Sequence, residues 1–438
     1  MSAPASPGAV PEAVTGFGHY NFSVSPVHRP ASVDERRGLL APMRHRGERP
    51  VFRGAGRSYG DAALNPGGPV VDLGRLRAIK GFDETSGVVS LEPGVTFEDL
   101  WRFSVPLGFW PPVVPGTMFT TLGGCVAMNV HGKNNWARGP LGEHVERLAV
   151  LRASGAVEWI EKTDPRLLDV VSGWGRPEPI VEIALHLKKI ETGYLDVEAL
   201  PTKDLAEMLD LIDSFKDKRE YVVGWMDCFA SGRALGRGVL HLADPRARRA
   251  GEPLGLSIEE QLSDIPVGKS LPVPLLLAGL RAMTFDGGMR MVNAAKYFTA
   301  RRAAYRQSLV AFSFLLDYLP GWNSVYLPGG FIQYQLFIPK EKAHAVFGEV
   351  LSLQHEAGVV SYLGVVKRHR PDRFKATHAV DGFSLAMDFP VTSRNASRLI
   401  GLCRAFDRLV LENGGRLYKA KDCVGSVERL EGLRRAAA

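Results

Sequence analysis

Apolar positions follow two rhythms along the chain. In the first, short apolar runs end at glycine or proline: Pro50-Val51-Phe52-Arg53, Gly68-Pro69-Val70-Val71-Asp72-Leu73, and Val88-Val89-Ser90-Leu91-Glu92 before Pro93-Gly94. This is the pattern of short strands punctuated by turns. Residues 145–152 and 157–160 flank Ser154-Gly155 and predict a β-hairpin, and 180–190 predict a long strand. Ser32 followed by Glu35 forms a capping box, so a helix is expected through Leu39 and Leu40. Thr96, with Asp99 three residues on, caps another through Leu100 and Phe103. Residues up to about Val14 are rich in Ala, Pro and Ser and are expected to be a loose tail.

After Thr192 the texture changes. Residues 202–215 have the period of an amphipathic helix, 221–229 and 331–338 read as strands, and 343–358 as a helix. Residues 359–366 and 382–389 are further strands, and 393–413 a helix closed by Gly414-Gly415. This order predicts an antiparallel sheet covered by helices, hence an α+β fold. Residues 251–283 carry little regular signal and hold Pro and Leu clusters, as a lid, a binding loop or a partly disordered segment would. There is no internal repeat.

Composition narrows the class. With 438 residues, 45% hydrophobic and 23% charged, the chain is long enough to bury its own core, and a disordered or collagen-like chain is excluded. The net charge of +7 suits an anionic ligand, a phosphate-bearing substrate or a lipid surface. With no zinc finger and no RNA-recognition aromatic motif, no nucleic acid is expected as a partner. Cys125, Cys228, Cys403 and Cys423 form no CxxC pair and no metal-ligand spacing, so no metal and a reducing compartment are expected. The N-terminus has no basic, apolar, cleavable signal pattern, which leads to an expected cytoplasmic location. The apolar run 271–280 falls short of the ~20 residues that span a bilayer.

Two segments carry chemistry. The first is Arg53-Gly54-Ala55-Gly56-Arg57-Ser58-Tyr59-Gly60-Asp61. Glycines let backbone N–H groups turn inward as a nest and arginines add charge, a combination that suits a pyrophosphate; a plain glycine-rich turn is the alternative. It is neither a Walker loop nor the Rossmann fingerprint, because no Gly-Lys-Ser/Thr follows and the spacing is GxGxxxG. The second runs from Pro115-Gly116-Thr117 through Thr121, Gly123-Gly124-Cys125 and Asn129 to His131-Gly132-Lys133-Asn134. Small and hydroxyl residues alternating with glycine can lie flat against a large planar cofactor. His131 taken alone fits a buried structural histidine better than a ligand.

Together, GRSYGD, PGT, the Gly-Gly pair and HGKN resemble the flavin-binding half of the vanillyl-alcohol-oxidase (PCMH-type) superfamily, and within it the decaprenylphosphoryl-β-D-ribose 2′-oxidase family. The resemblance continues in Trp225-Met226-Asp227, in Gly330-Phe331-Ile332-Gln333-Tyr334-Gln335, in Asp388-Phe389-Pro390 and in Gly415 to Asp422, and is weakest over 195–310. It implies a bipartite FAD-binding domain whose first part is 1–193, a substrate domain at 194–413 and a short C-terminal return at 414–438. It places Arg53, Gly54, Ala55, Gly56, Arg57, Ser58 and Tyr59 on the FAD pyrophosphate and near the ring. Pro115, Gly116, Thr117, Thr121, Gly123, Gly124, Cys125, Asn129, His131, Gly132, Asn134 and the strand residue Ile183 would line the other side. Ser58-Tyr59 stand where many superfamily members attach FAD through a histidine, so non-covalent FAD is expected. Lys421 matches an active-site lysine. Tyr418 and His131 are further catalytic candidates. Gln333, Gln335, Lys367, Trp225 and Ala386 are candidates for the substrate side. The implied reaction is oxidation of a secondary alcohol on a sugar or sugar-like substrate, including a polyprenyl-phosphate pentose.

The chain departs from the family at four places. Ala386 stands where a cysteine is common, Ser313 where a tyrosine is expected, Glu182 where the flavin-domain strand carries glycine, and the segment after the Lys-Asp motif is short. The first two favour a soluble glycoside or nucleoside as the alternative substrate. The last leaves open a flavin-binding partner subunit without catalysis. Residues 271–283, beside Lys269 and Arg281, read either as a membrane-touching loop or as core packing.

Overall fold

The computed structural model describes residues 9–176, 178–265 and 271–421. Two small sheets come from the first rhythm. Val10–Thr15, Phe22–His28, Val70–Asp72 and Val51–Arg53 lie side by side in that order. The five-stranded sheet runs Ile79–Asp83, Val88–Leu91, Ile180–His186, Val145–Leu151, Val157–Glu161. Thr96 and Asp99 close the capping box as the spacing predicts. At the first helix the Ser32 side chain accepts from the Glu35 amide, while Glu35 reaches back to Ala31.

The second rhythm builds an eight-stranded sheet whose pairs are all antiparallel: Ala303–Ser308, Tyr194–Thr202, Gly238–Pro245, Tyr221–Met226, Gly364–His369, Gly382–Pro390, Phe331–Pro339, Arg416–Leu417. Side chains alternate across it. Val222, Met226, Leu240, Val366, Leu385, Ile332, Tyr334 and Leu336 face one way and pack on helices Leu205–Phe215, Lys340–Glu356 and Ala396–Glu412. The architecture is thus the mixed α and β fold expected, with helices on one face of the large sheet. Its other face carries Trp225, Val365, Ala386 and Gln335 in one row, cross-strand partners in the register.

Several elements differ from the sequence expectation. Val10–Thr15 is a strand, because its backbone pairs with Phe22–His28 where a tail was expected. The strand expected over 180–190 breaks at Leu187, and Lys188–Lys189 pairs instead with Phe109–Trp110. The expected irregular stretch 251–283 contains helices Ile258–Ser263 and Val273–Met283, followed by Asp286–Thr299. No residue of Val273–Met283 is buried, so the core-packing alternative for it fails. Lys269, Asp422, Cys423 and the rest of the segment 422–438 lie outside the described residues.

Candidate active site and cofactor cavity

A cavity of about 480 Å³ separates the glycine-rich segments from the free face of the large sheet. Its first wall is the run Arg53 to Tyr59, which leaves the strand Val51–Arg53. Gly56 takes a φ of +64°, a conformation costly for any residue with a Cβ. Gly54 meets the second segment so closely that a Cβ would fall 2.0 Å from Thr121 Oγ1. The two segments singled out in the sequence therefore touch.

Pro115, Gly116, Thr117, Thr121, Gly123, Gly124, Cys125 and His131 line the second wall. Four residues expected there do not. Asn129 is buried with its Oδ1 accepting from the Gly142 amide, and Asn134 donates to the Pro112 carbonyl. Gly132 is packed against Asn134, leaving no room for a Cβ. Ile183 is a core residue between Leu91 and Leu148, and Pro179 and Ile180 of the same stretch reach the cavity instead. Glu182 faces outward to Lys80, at 2.9 Å.

The third wall is the sheet face: Val223, Trp225, His241, Gln333, Gln335, Val365, Lys367, Ser384 and Ala386. Tyr418 and Lys421 close it from the C-terminal segment, which is tied to the first wall by the bond from the Tyr59 amide to the Ala420 carbonyl, 3.0 Å. Lys421 Nζ lies 4.0 Å from the centre of the Tyr59 ring. Ser313, singled out in the sequence as a change in the pocket, does line the cavity. Sequence patterns missed Lys133 as a ligand candidate, and missed His241, Lys296 and the lining role of Ser384. His241 and Lys296 come from elements in the region where motifs are sparse, so only three-dimensional placement reveals them.

The polar groups form a chain. Gln333 Nε2 donates to Asp388 at 2.5 Å. Gln335 Nε2 lies 3.1 Å from His131 Nε2 and donates to Ser384 Oγ at 3.3 Å, and Ser384 is 2.8 Å from His369. His131, His369, His378 and Tyr418 meet Phe337 edge-on. Burial, reinforced by neighbouring cations, drives His131 and His369 well below the usual imidazole range and His378 to about 3, so all three are neutral near pH 7. Desolvation lowers Lys367 and Lys296 to about 8 and raises Asp388 to about 6. The Cys125 thiol is pushed up to about 12 by burial, which makes it unreactive.

The donor set fits a dinucleotide with a pyrophosphate. Arg53 Nη1 and Arg57 Nε are buried without a partner. Burial lowers both guanidiniums from their ordinary value, and charged donors held out of water call for an anion. Among the described residues no Asp or Glu lines the cavity, against Arg53, Arg57, Lys133, Lys296, Lys367 and Lys421. No group of His, Cys, Asp and Glu among the described residues could hold a metal ion.

The architecture and this cavity are consistent with a PCMH-type FAD-binding domain, and comparison with known proteins supports an FAD-linked oxidoreductase. Residues 24–161 match the family described as FAD binding domain. The chain is 29% identical to the decaprenylphosphoryl-beta-D-ribose oxidase of Mycolicibacterium smegmatis, over 87% of this chain and 82% of the relative. It is 26% identical to an uncharacterized protein in the mprA 5′ region of Streptomyces coelicolor, over 77% of this chain and 92% of the relative. A D-lactate dehydrogenase of Anaerostipes hadrus is 31% identical over only 22% of this chain and 21% of its own length.

Proposed function

We propose that the protein binds FAD non-covalently and oxidises a secondary alcohol on a sugar or sugar-like substrate. The observation that carries this is the polar row Gln333, Gln335, Lys367 and Ser384 on the sheet face, in the same cavity as the arginine-glycine loop. When bound, FAD supplies an acceptor for a hydride from the substrate carbon. Arg53 and Arg57 hold the pyrophosphate. Gln335 spends its NH₂ group on Ser384 and His131, which leaves its side-chain carbonyl to orient a substrate hydroxyl, and Gln333 lines the same face with its NH₂ held by Asp388. Lys421, beside Tyr59, would supply positive charge to stabilise the negative charge that develops on the flavin during reduction. Tyr418 and neutral His131 pack the site beneath it. Non-covalent attachment is supported by Ser58 and Tyr59 at the loop position and by His131 Nε2 being engaged by Gln335.

The Mycolicibacterium relative supports a lipid-linked sugar, and the apolar side chains Leu275, Phe285, Met291 and Phe298, exposed on the helices Val273–Met283 and Asp286–Thr299 or between them beside Arg281 and Arg290, support peripheral contact with an anionic membrane. A soluble glycoside or nucleoside is the second reading, favoured by Ser313, whose hydroxyl is buried and unpartnered in a cavity-lining residue. Anaerobic mixing with a polyprenyl-phosphate pentose and with soluble sugars decides the matter. Bleaching of the flavin by the lipid-linked pentose supports the first reading, and bleaching by a soluble sugar alone the second. A flavin that no alcohol in a broad panel bleaches ends the catalytic proposal. Flotation with anionic vesicles tests the membrane contact, and a protein that stays at the bottom of the gradient refutes it.

A further inference from the structure

Ser384 lies on the strand Gly382–Pro390 and borders the cavity, while His369, at the end of the neighbouring strand Gly364–His369, is fully buried. Their side chains meet at 2.8 Å, Ser384 Oγ to His369 Nε2. On its other side Ser384 Oγ accepts from Gln335 Nε2 at 3.3 Å. One hydroxyl thus links the amide that faces the substrate to a buried imidazole. With one lone pair of Oγ engaged by Gln335, a second lone pair is left for the cavity and the hydroxyl proton is left for His369. His369 Nδ1 is buried without a partner, so the bond to Ser384 decides which ring nitrogen carries the proton. Among the described residues no Asp or Glu lines the cavity, so the walls offer no carboxylate for the same task.

We infer that Ser384 and His369 form a proton relay for the proposed alcohol oxidation: Ser384 Oγ takes the proton of the substrate hydroxyl while passing its own to His369 Nε2. The inference rests on the reaction proposed above. As the substrate O–H and C–H bonds break, the carbon–oxygen double bond forms. The hydride leaves with its electron pair for the acceptor that FAD supplies, the proton ends on His369 as imidazolium, and Ser384 is unchanged. Ser384 meets the substrate, and His369 acts through it. The titratable and charged groups facing the imidazole are His131, with ring centres 4.8 Å apart, His378, Lys367 and Arg368. Together with burial they keep His369 neutral at rest, with its lone pair available. The negative charge that travels with the hydride offsets theirs while the proton is held.

Two measurements on the FAD-reconstituted protein test the relay. In nitrogen NMR of histidine-labelled protein, His369 Nε2, assigned by its loss in His369→Phe, should appear as an unprotonated nitrogen, and Ser384→Ala should shift it. A proton bonded to Nε2 overturns the inference, because that nitrogen could then accept nothing; this readout needs no substrate. The second measurement is stopped-flow flavin reduction by the alcohol that bleaches the wild type, polyprenyl-phosphate pentose or soluble sugar. Ser384→Ala and His369→Phe should each slow it by about 10²-fold or more, with FAD and substrate affinity retained. The double variant should be no slower than the slower single one, as for residues that act as a unit. Ser384→Thr, which keeps the hydroxyl, should restore most of the rate. Losses that multiply in the double variant, or a wild-type rate in Ser384→Ala, overturn the inference; Ser384→Ala, the smaller change, decides if His369→Phe does not fold. A flavin that no alcohol reduces refutes the proposed reaction and the relay with it, whereas a protonated Nε2 in a protein that is reduced refutes the relay alone.

Discussion

Arg57 and Lys421 make the most direct predictions at the scale of single residues. Arg57 is half-buried, lines the cavity and leaves its buried Nε without an acceptor. Each bond from a charged donor to an anion contributes about 1.5–3 kcal/mol, so Arg57→Ala should weaken FAD binding by about tenfold or more, read by titrating FAD into stripped protein. Unchanged affinity would remove Arg57 from the pyrophosphate. Lys421→Ala should retain FAD and slow flavin reduction by about 10²–10³, the usual loss for a group that stabilises developing charge. Stopped-flow reduction at the wild-type rate would dismiss it. At this scale the glycine and arginine motif was legible from the chain, since Gly56 needs its positive φ and Gly54 its close approach to Thr121. Asn129, Gly132 and Asn134 were misread because neighbours in the chain turn to opposite sides, and nothing in the letters HGKN tells which side faces a ligand.

Among the elements, the strand Phe331–Pro339 shows how one sequence serves fold and site together. Leu336 is fully buried against the helices, and Gln335, one residue earlier, faces the cavity. Leu336→Ala should destabilise the protein by about 2–5 kcal/mol, the cost of a cavity in a packed core. Gln335→Leu should leave the fold intact while abolishing the bond to His131. Denaturant melts of both variants check the contrast, and equal destabilisation would contradict the assigned faces. A run of aromatic and β-branched residues, with Gln333 and Gln335 two apart on one side, made this strand readable in the sequence. The helix Val273–Met283 was not readable, because it starts at Pro272 with no side-chain cap and no buried face. Tyr194–Thr202 was overlooked although Leu195, Val197 and Ala199 alternate with Asp196 and Glu198, the period of a half-buried strand.

Across the whole molecule, the buried histidines should make stability depend on pH. Burial holds His131, His369 and His378 below the ordinary imidazole value of about 6.5. Just below that pH the unfolded chain therefore binds more protons than the folded one, and stability is lost as pH falls. One unit below 6.5, each histidine costs about 1.4 kcal/mol. Asp317 and Asp388, raised from 3.8 to about 6, act the other way between those values and offset part of the loss. The thermal midpoint should fall as pH is lowered from 6.5, as differential scanning calorimetry would register; a flat profile would mean that these imidazoles titrate normally.

The central claim is that the cavity between the loop at Gly56 and the segment at Gly124 holds FAD without a covalent bond. The absorption spectrum of the purified protein, recorded before and after acid precipitation, tests it most directly. The account predicts flavin bands that pass entirely into the supernatant, in amounts equimolar with the chain after reconstitution. A colourless protein that takes up no FAD, or colour that stays in the pellet, would contradict it.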